Sequence, residues 1–524
     1  MIAKIMDTMK TFRIFITAAT VALFTSCAGL LDIPQHGTLT YDTYYQTDEE
    51  AETGVSNLYL TLRGLEYNLK LTKHLLCDDF WAGGGGRGDN ADLEALNEFT
   101  FNTEQGFLQG VFQSYYQMIY QANVVLGHVK DDTPVKQQML AEARVFRALA
   151  YFDLISMWGN PPLVDHELTP SEYAVPNGKT EELWALVESD LTLAINSGML
   201  AEKTGVNDTE TWRVTKQFAQ ALLGKAYLWQ EKYKDAADCF DAVIRSGLYE
   251  LYRGPYEDIL QYTTAKNCES IFESVKIKNP NNTMENFSFY LTMVMWRTDK
   301  MTGVQEAGFS NMGWGFCAPK AELYNLFFQE EGPDGVRLNG TMKTYDQMKD
   351  MSITIMPGAS MINEGYFFWK WRLPQSAEDG GWSSATVHVN TRWMRLAEVY
   401  LLGAEAHLLA NNAGTAADYL NKVRERVGLR PKNGISLQDI QTEKRLELCG
   451  EGVRFQDIVR WKIAKNNLEH QGDYCPFLNS NGVVDSVSFH KDPSLYGFKD
   501  KHYLLPYPAA EIRLNTNIKQ NPGW

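Results

Sequence analysis

Residues 391–430 read TRWMRLAEVYLLGAEAHLLANNAGTAADYLNKVRERVGLR, and residues 431–461 continue PKNGISLQDIQTEKRLELCGEGVRFQDIVRW. Trp393, Leu396, Ala397, Tyr400, Leu401, Ala404 and Leu408 recur at helical spacing, while Val399, Leu402 and Ala406 make the opposite side apolar as well. A helix apolar on every side belongs inside a protein. Gly403, Ala404 and Ala406 remove side-chain bulk, so a neighbouring helix can come close, and Asn411-Asn412-Ala413-Gly414 supplies a short turn into a second helix, Thr415 to Val427. The stretch reads as a helical hairpin.

The same design stands at residues 214–251, VTKQFAQALLGKAYLWQEKYKDAADCFDAVIRSGLYEL. Leu223-Gly224-x2-Tyr227 followed by Ala236-x3-Phe240 fits the centre of the tetratricopeptide pattern, including the interval between its halves. In the later hairpin Leu402-Gly403-x2-Ala406 and Ala416-x3-Leu420 repeat it one residue longer, with Ala in place of Tyr. Ala148-x2-Tyr151 with Gly159 is a third, weaker copy. The expected fold is therefore mostly α, a superhelical framework of tetratricopeptide-like helical pairs at about 48–250 and 391–461. Between them, about 251–390, lies a loop-rich inserted lobe with short strands.

Several strings carry a family resemblance: RWMRLAEVYLLGAEA (392–406), LNKVRERVGL (420–429), EKRLELCGEGVRFQDIVRW (443–461), the closing YLLPYPAAEIRLNTNIKQNPGW (503–524), and upstream AEARVFRALAYFDLISMWGNPPLV (141–164) and CAGLLDIPQHG (27–37). Together they resemble the SusD-like (RagB/SusD) outer-membrane lipoproteins of Bacteroidetes, over essentially all of the chain after residue 26. The resemblance implies a cell-surface glycan-binding lipoprotein without a cofactor. Such a protein captures oligosaccharides and delivers them to a SusC-like TonB-dependent transporter.

Lys4, Lys10 and Arg13 precede an apolar run from Ile14 to Phe24 that ends at Leu23-Phe24-Thr25-Ser26-Cys27. A basic start, a short apolar core and small residues before a cysteine make a lipoprotein signal, residues 1–26, with translation starting at Met1 or Met9. The run is shorter than the roughly 20 residues that span a bilayer. Cys27 is then the lipidated residue that holds the folded part, 27–524, to the outer membrane on its extracellular side.

The chain of 524 residues carries a net charge of −16, which gives it no sequence-wide attraction for nucleic acid or an anionic membrane, while neutral sugars are compatible with it. Cys77, Cys239, Cys268, Cys317, Cys449 and Cys475 form no CxxC pair and lie near no histidine at metal-ligand spacing, so free thiols are expected and no metal site.

Candidate ligand residues come from two places. Residues 73–102, KHLLCDDFWAGGGGRGDNADLEALNEFTFN, contain a glycine-rich loop that presents Trp81 with Asp79, Arg87, Asp89 and Asn90 beside it. Its Gly83-x-Gly85-x2-Gly88 lacks the flanking strand and βαβ unit of a dinucleotide fingerprint. In the lobe, Trp296, Trp314, Trp369, Trp371 and Trp382 are numerous for a loop-rich region. A sugar ring packs its axial C–H face on an aromatic plane, while its hydroxyls need amides, carboxylates or Arg at the rim. By location in the family, Trp296 and Trp314 join Trp81, with Arg372 and Asn311 behind them.

The alternating charges of Glu443 to Trp461 read as ion pairs locking framework helices, not as a catalytic pair. No HExxH, Gly-x-Ser-x-Gly, P-loop or EF-hand loop is present, and no catalytic residue is assigned. Two further readings stay open: an anchored glycoside hydrolase, whose carboxylates have no fixed sequence spacing, and a scaffold whose helical pairs bind protein or peptide.

Overall fold

The first helix, α1 (Asp48–Leu75), starts on a capping box: the Thr47 hydroxyl accepts from the Glu50 amide at 3.2 Å, and the Glu50 carboxylate accepts from the Thr47 amide at 2.9 Å. The computed structural model describes residues 44–278, 289–378 and 386–524, of which Thr47–Trp524 forms one compact unit. Cys27 and the signal lie outside the described residues, as does Trp382. Helix α1 runs well past Leu62, where its sequence pattern weakens, because its second half is buried along almost its whole circumference.

Strand β1 (Phe80–Gly83) and helix α2 (Ala91–Glu98) follow, then the framework helices α3 (Gly106–His128), α4 (Pro134–Trp158), α5 (Thr180–Asn196), α6 (Lys216–Trp229) and α7 (Tyr233–Arg245). Their ends carry the expected signals. Pro134 sits at the start of α4 after the Thr133 cap, and Gly159, with φ +82°, ends it before Pro161-Pro162. Successive helices pack on one another, α1 on α3, α3 on α4, α4 on α5 and α6 on α7.

The lobe supplies β2 (Ser270–Ser274), α8 (Phe289–Val294), β3 (Phe316–Pro319), α9 (Ala321–Glu331), β4 (Met342–Thr344), β5 (Ser360–Ile362) and β6 (Tyr366–Phe368). The chain returns through β7 (Thr391–Arg395) to α10 (Leu396–Leu409), α11 (Ala413–Arg426), α12 (Leu437–Glu447) and α13 (Arg454–Arg460), then β8 (Cys475–Asn479) and β9 (Val484–Val487). The strands pair antiparallel in small groups: β1 with β3, β2 with β7, β4 with β6, and β9-β8-β5.

Helix α10 is buried on every side except around Tyr400, as its composition requires. The two tetratricopeptide-like pairs, distant in sequence, stack directly. A Cβ on Gly224 would meet the Phe240 ring at 2.7 Å, and one on Gly403 would meet Tyr419 at 3.0 Å and Phe240 at 3.4 Å, so both glycines permit the close approach of helices. The sequence expectation erred at Thr391–Arg395, which is a strand and not the first turn of α10. Arg392 pairs with Glu273 at 3.2 Å and Arg395 with Glu269 at 2.6 Å across the β2 ladder, and the Glu269 carbonyl accepts from the Leu396 amide at 2.9 Å, where the helix begins.

The charged string of α12 and α13 is internal. Arg337 reaches Glu331 and Glu443 at 2.6 Å, and Arg395 reaches Glu447 at 2.6 Å and Glu451 at 2.8 Å. Arg426 also pairs with Glu447, Arg424 with Glu443 at 2.6 Å, and Arg454 with Asp78 at 2.7 Å. These pairs tie lobe, hairpin and α1 into one framework. The tail closes against the body: Trp524 stacks on Phe101 at 5.2 Å and donates to the Leu504 carbonyl at 2.9 Å. All six described cysteines are free thiols.

Candidate functional site

Pairing of β1 with β3 sets Gly83 opposite Phe316, which brings the loop 84–90 beside the loop 311–315. The Gly84 amide donates to the Gly315 carbonyl at 2.7 Å. Both loops depend on glycine where φ is positive, at Gly83 (+77°), Gly84 (+85°) and Gly315 (+74°). A Cβ on Gly85 would press on the Arg297 guanidinium and the Lys300 ammonium, each at 3.1 Å.

Arg297 knits the two loops together. One of its nitrogens donates to the Asp89 carboxylate at 2.6 Å and to the Trp314 carbonyl at 3.1 Å, and its Nε faces Asp299 at 2.7 Å. Asp89 also accepts from the Gly85 amide at 2.7 Å. Lys300 donates to the Gly85 and Ser360 carbonyls at 2.5 and 2.7 Å, and burial lowers its pKa. The charges therefore neutralise one another locally.

Trp314 stands out from this frame. Its backbone is fixed by donation to the Thr292 carbonyl at 2.8 Å, and the next amide, Gly315, donates to Met295 at 2.7 Å, yet the residue is 40% exposed. Phe289 lies beside it, ring centroids 5.7 Å apart at 35°, and is itself exposed, as are Met312 and Asn311. Tyr67 of α1 extends the row, 6.5 Å from Phe289. The result is an aromatic surface whose loop is tied to the charges of Arg297, Asp89 and Asp299, with exposed Asn311 three residues before Trp314.

The other expected ligand residues fall elsewhere. Trp81 is 7% exposed and packs with Ala318, Ile362 and Cys475. Trp296 is 4% exposed, stacks on Trp369 at 5.4 Å and 17°, and donates to the Phe368 carbonyl at 3.2 Å. Asp79 is buried against Arg445 at 2.7 Å, and Arg372 is held by Asp258 at 2.6 Å over the Trp369 ring. Arg87 pairs with Glu94 and Glu98, and Asn90 caps α2 by accepting from the Leu93 amide at 3.1 Å. Burial of Trp81, Trp296 and Asp79, and the Asp258 pairing of Arg372, thus correct the expectation that Trp81, Trp296 and Trp314 share one hollow, with Asp79 and Arg372 beside them. Trp314 and Asn311 remain exposed. Asp89, also expected, stays beside them, and Arg297 and Phe289 join; Arg297 is adjacent to a tryptophan in Met295-Trp296-Arg297, the one signal the sequence offered for it.

Elsewhere, the framework carries a hollow of about 620 Å³ lined by Trp229, Tyr233, Leu409, Val459, Trp461 and Tyr503, among others. Of its charged residues, Glu405 pairs with Arg460 at 2.8 Å, and Glu231 and Lys462 also line it. Among the described residues no group of three or more His, Cys, Asp or Glu is placed to hold a metal ion, and no helix is long and apolar enough to cross a membrane.

A family model described as the SusD family matches residues 354–524, and one described as starch-binding associating with outer membrane matches residues 85–228. A SusD-like protein of Bacteroides ovatus is 26% identical, covering 97% of this chain and 97% of its own. The starch-binding protein SusD of Bacteroides thetaiotaomicron is 22% identical over 83% of this chain and 82% of its own. Among solved structures, a laminarin binding SusD-like protein has a TM-score of 0.77 at 28% identity, covering 92% of this chain and 100% of that one. Surface glycan-binding protein A from Bacteroides thetaiotaomicron, in complex with laminarihexaose, shares the fold with a TM-score of 0.73 at 22% identity, over 91% of this chain and 100% of its own.

Proposed function

Because the chain belongs to the SusD-like family, we propose that it is a glycan-binding lipoprotein of the outer membrane. It captures an oligosaccharide on the Trp314 surface and delivers it to a SusC-like TonB-dependent transporter. The exposed Trp314 ring, held rigidly between two backbone bonds, is the observation that carries this reading. A sugar's C–H face stacks on that ring and on Phe289, while Asp89, Asn311 and Asp299 take its hydroxyls. Arg297 is balanced between Asp89 and Asp299, and Lys300 is engaged by the Gly85 and Ser360 carbonyls, which favours a neutral glycan as the ligand.

Affinity electrophoresis against a panel of neutral polysaccharides, laminarin among them for its binding by the structural relative, tests the proposal. Trp314→Ala should weaken binding about tenfold or more with no change in melting temperature, because little of the fold leans on the exposed ring. Unchanged retardation of the variant would remove the site. New reducing ends released from the same panel would favour the anchored hydrolase instead.

Cys27, lipidated, holds the protein to the membrane, since several acyl chains contribute about 0.8 kcal/mol per buried methylene. Cys27→Ala should move the protein from the membrane pellet to the soluble fraction; a variant still pelleting in high salt refutes the anchor. The framework hollow favours one further role, contact with a protein partner, which fits the transporter-bound complex better than it fits a free sugar: most of its lining is apolar or aromatic, and Glu405 and Arg460 within it pair with each other.

A further inference from the structure

We infer that the lobe carries a second aromatic platform, built on Tyr324, Phe328 and Tyr366, that binds a further stretch of the same neutral polysaccharide; the inference rests on the glycan-binding reading above. Helix α9 places Tyr324 and Phe328 one turn apart on one face. Tyr366, at the start of β6, lies alongside. The Tyr324 and Tyr366 rings are 4.4 Å apart at 27°, and Tyr324 and Phe328 are 6.3 Å apart at 29°. Phe328 is 45% exposed and the two tyrosines are half-buried.

The platform is a built one. Tyr366 is fixed in register opposite Thr344, and its amide donates to Asn363 at 2.9 Å. Glu364 accepts from the Ala321 amide at the start of α9 at 2.6 Å and from the Tyr474 hydroxyl at 3.1 Å, so one carboxylate ties α9 to a fourth ring. Tyr474 is 38% exposed and lies 4.9 Å from Trp81. The indole N–H of Trp81 is buried and has no hydrogen-bond partner among the described residues.

The chemistry selects the occupant. Half-exposed rings with phenol oxygens and the Glu364 carboxylate beside them match a sugar's alternating C–H and hydroxyl faces. The platform shares no residue with the Trp314 surface. A polymer long enough to touch both would be held by two weak contacts, the second made intramolecular by the first.

The test compares Tyr324→Ala/Phe328→Ala with wild type in the full chain, using the polysaccharide that the panel identifies and a trisaccharide of the same linkage. The double variant should bind the polymer about tenfold more weakly, bind the trisaccharide as wild type does, and keep its melting temperature. Trp314→Ala should lose the trisaccharide and bind the polymer about tenfold or more weakly. Wild-type affinity of the double variant for the polymer overturns the second platform and leaves the Trp314 reading intact, and if that variant instead loses a co-purifying protein, the face belongs to the partner. Loss of polymer binding in the double variant with full trisaccharide binding by Trp314→Ala would transfer the site from Trp314 to this platform. A wild-type protein that binds no member of the panel overturns both.

Discussion

Glu447→Gln should leave the protein largely unfolded, or lower its chemical-denaturation midpoint more than any surface substitution does. Glu447 is fully buried and receives guanidinium groups from Arg395 at 2.6 Å, from Arg337 at 3.3 Å and from Arg426. Burial alone would raise its pKa, yet the charges of Arg426, Arg395 and Arg337 overcome that and hold it well below the usual carboxylate range. The amide has the carboxylate's shape without its charge, so three buried cations lose their common counter-ion. Breaking a buried pair in this way costs about 3–5 kcal/mol, a large part of the stability of most proteins. The same network fixes the sign of the acid response. The neighbouring Glu451 is pulled down to about 2, against burial, by Arg395 and Lys370. A carboxylate whose folded pKa is depressed contributes stability that is complete above its unfolded pKa and lost as pH falls toward the folded one. For Glu451 the window runs from about 4.5 down to about 2 and is worth roughly 3 kcal/mol. Denaturation midpoints should therefore fall steeply through that window, and less steeply in Glu451→Gln. A midpoint indifferent to pH there would show that the network does not hold the fold.

The helical framework was legible because its signals are local. Gly224 and Gly403 announce close helix packing, and Asn411-Asn412-Ala413-Gly414 announces the turn between α10 and α11. The alternating charges of α12 and α13 read correctly as ion pairs, although partners such as Arg337, Arg395 and Asp78 come from segments far away in sequence. What failed was placement by residue type alone. A tryptophan in a loop-rich stretch looks the same whether its ring faces water or the Phe309–Trp369 cluster, and only tertiary packing separates Trp314 from Trp296. Asp79 and Arg372 failed for a related reason: each found an opposite charge inside the fold. Arg297 was missed because its role, joining Asp89 to the Trp314 loop across more than two hundred residues of sequence, exists only once β1 and β3 have paired.

Trp296→Ala should behave as the opposite of Trp314→Ala. Its ring stacks on Trp369 at 5.4 Å, meets Phe309 edge-on at 5.3 Å, and uses its N–H on the Phe368 carbonyl. Truncation leaves a cavity among aromatic rings and an unpaired acceptor, and Trp→Ala at such sites costs about 3–5 kcal/mol. The lost stability should appear as a lower melting temperature and denaturation midpoint. Glycan binding should weaken as a consequence, because Gly313 packs against the Trp296 backbone and the Trp314 loop inherits any movement there. At low temperature, where the folded fraction is restored, Trp296→Ala should regain much of its affinity, whereas Trp314→Ala should not. Phenylalanine at 296 should recover most of the stability, since it refills the stack and forfeits only the hydrogen bond. If Trp296→Ala instead melts with the wild type and fails to bind at every temperature, the Trp296 ring contacts the sugar itself, and the division between a buried tryptophan and an exposed one no longer describes this site.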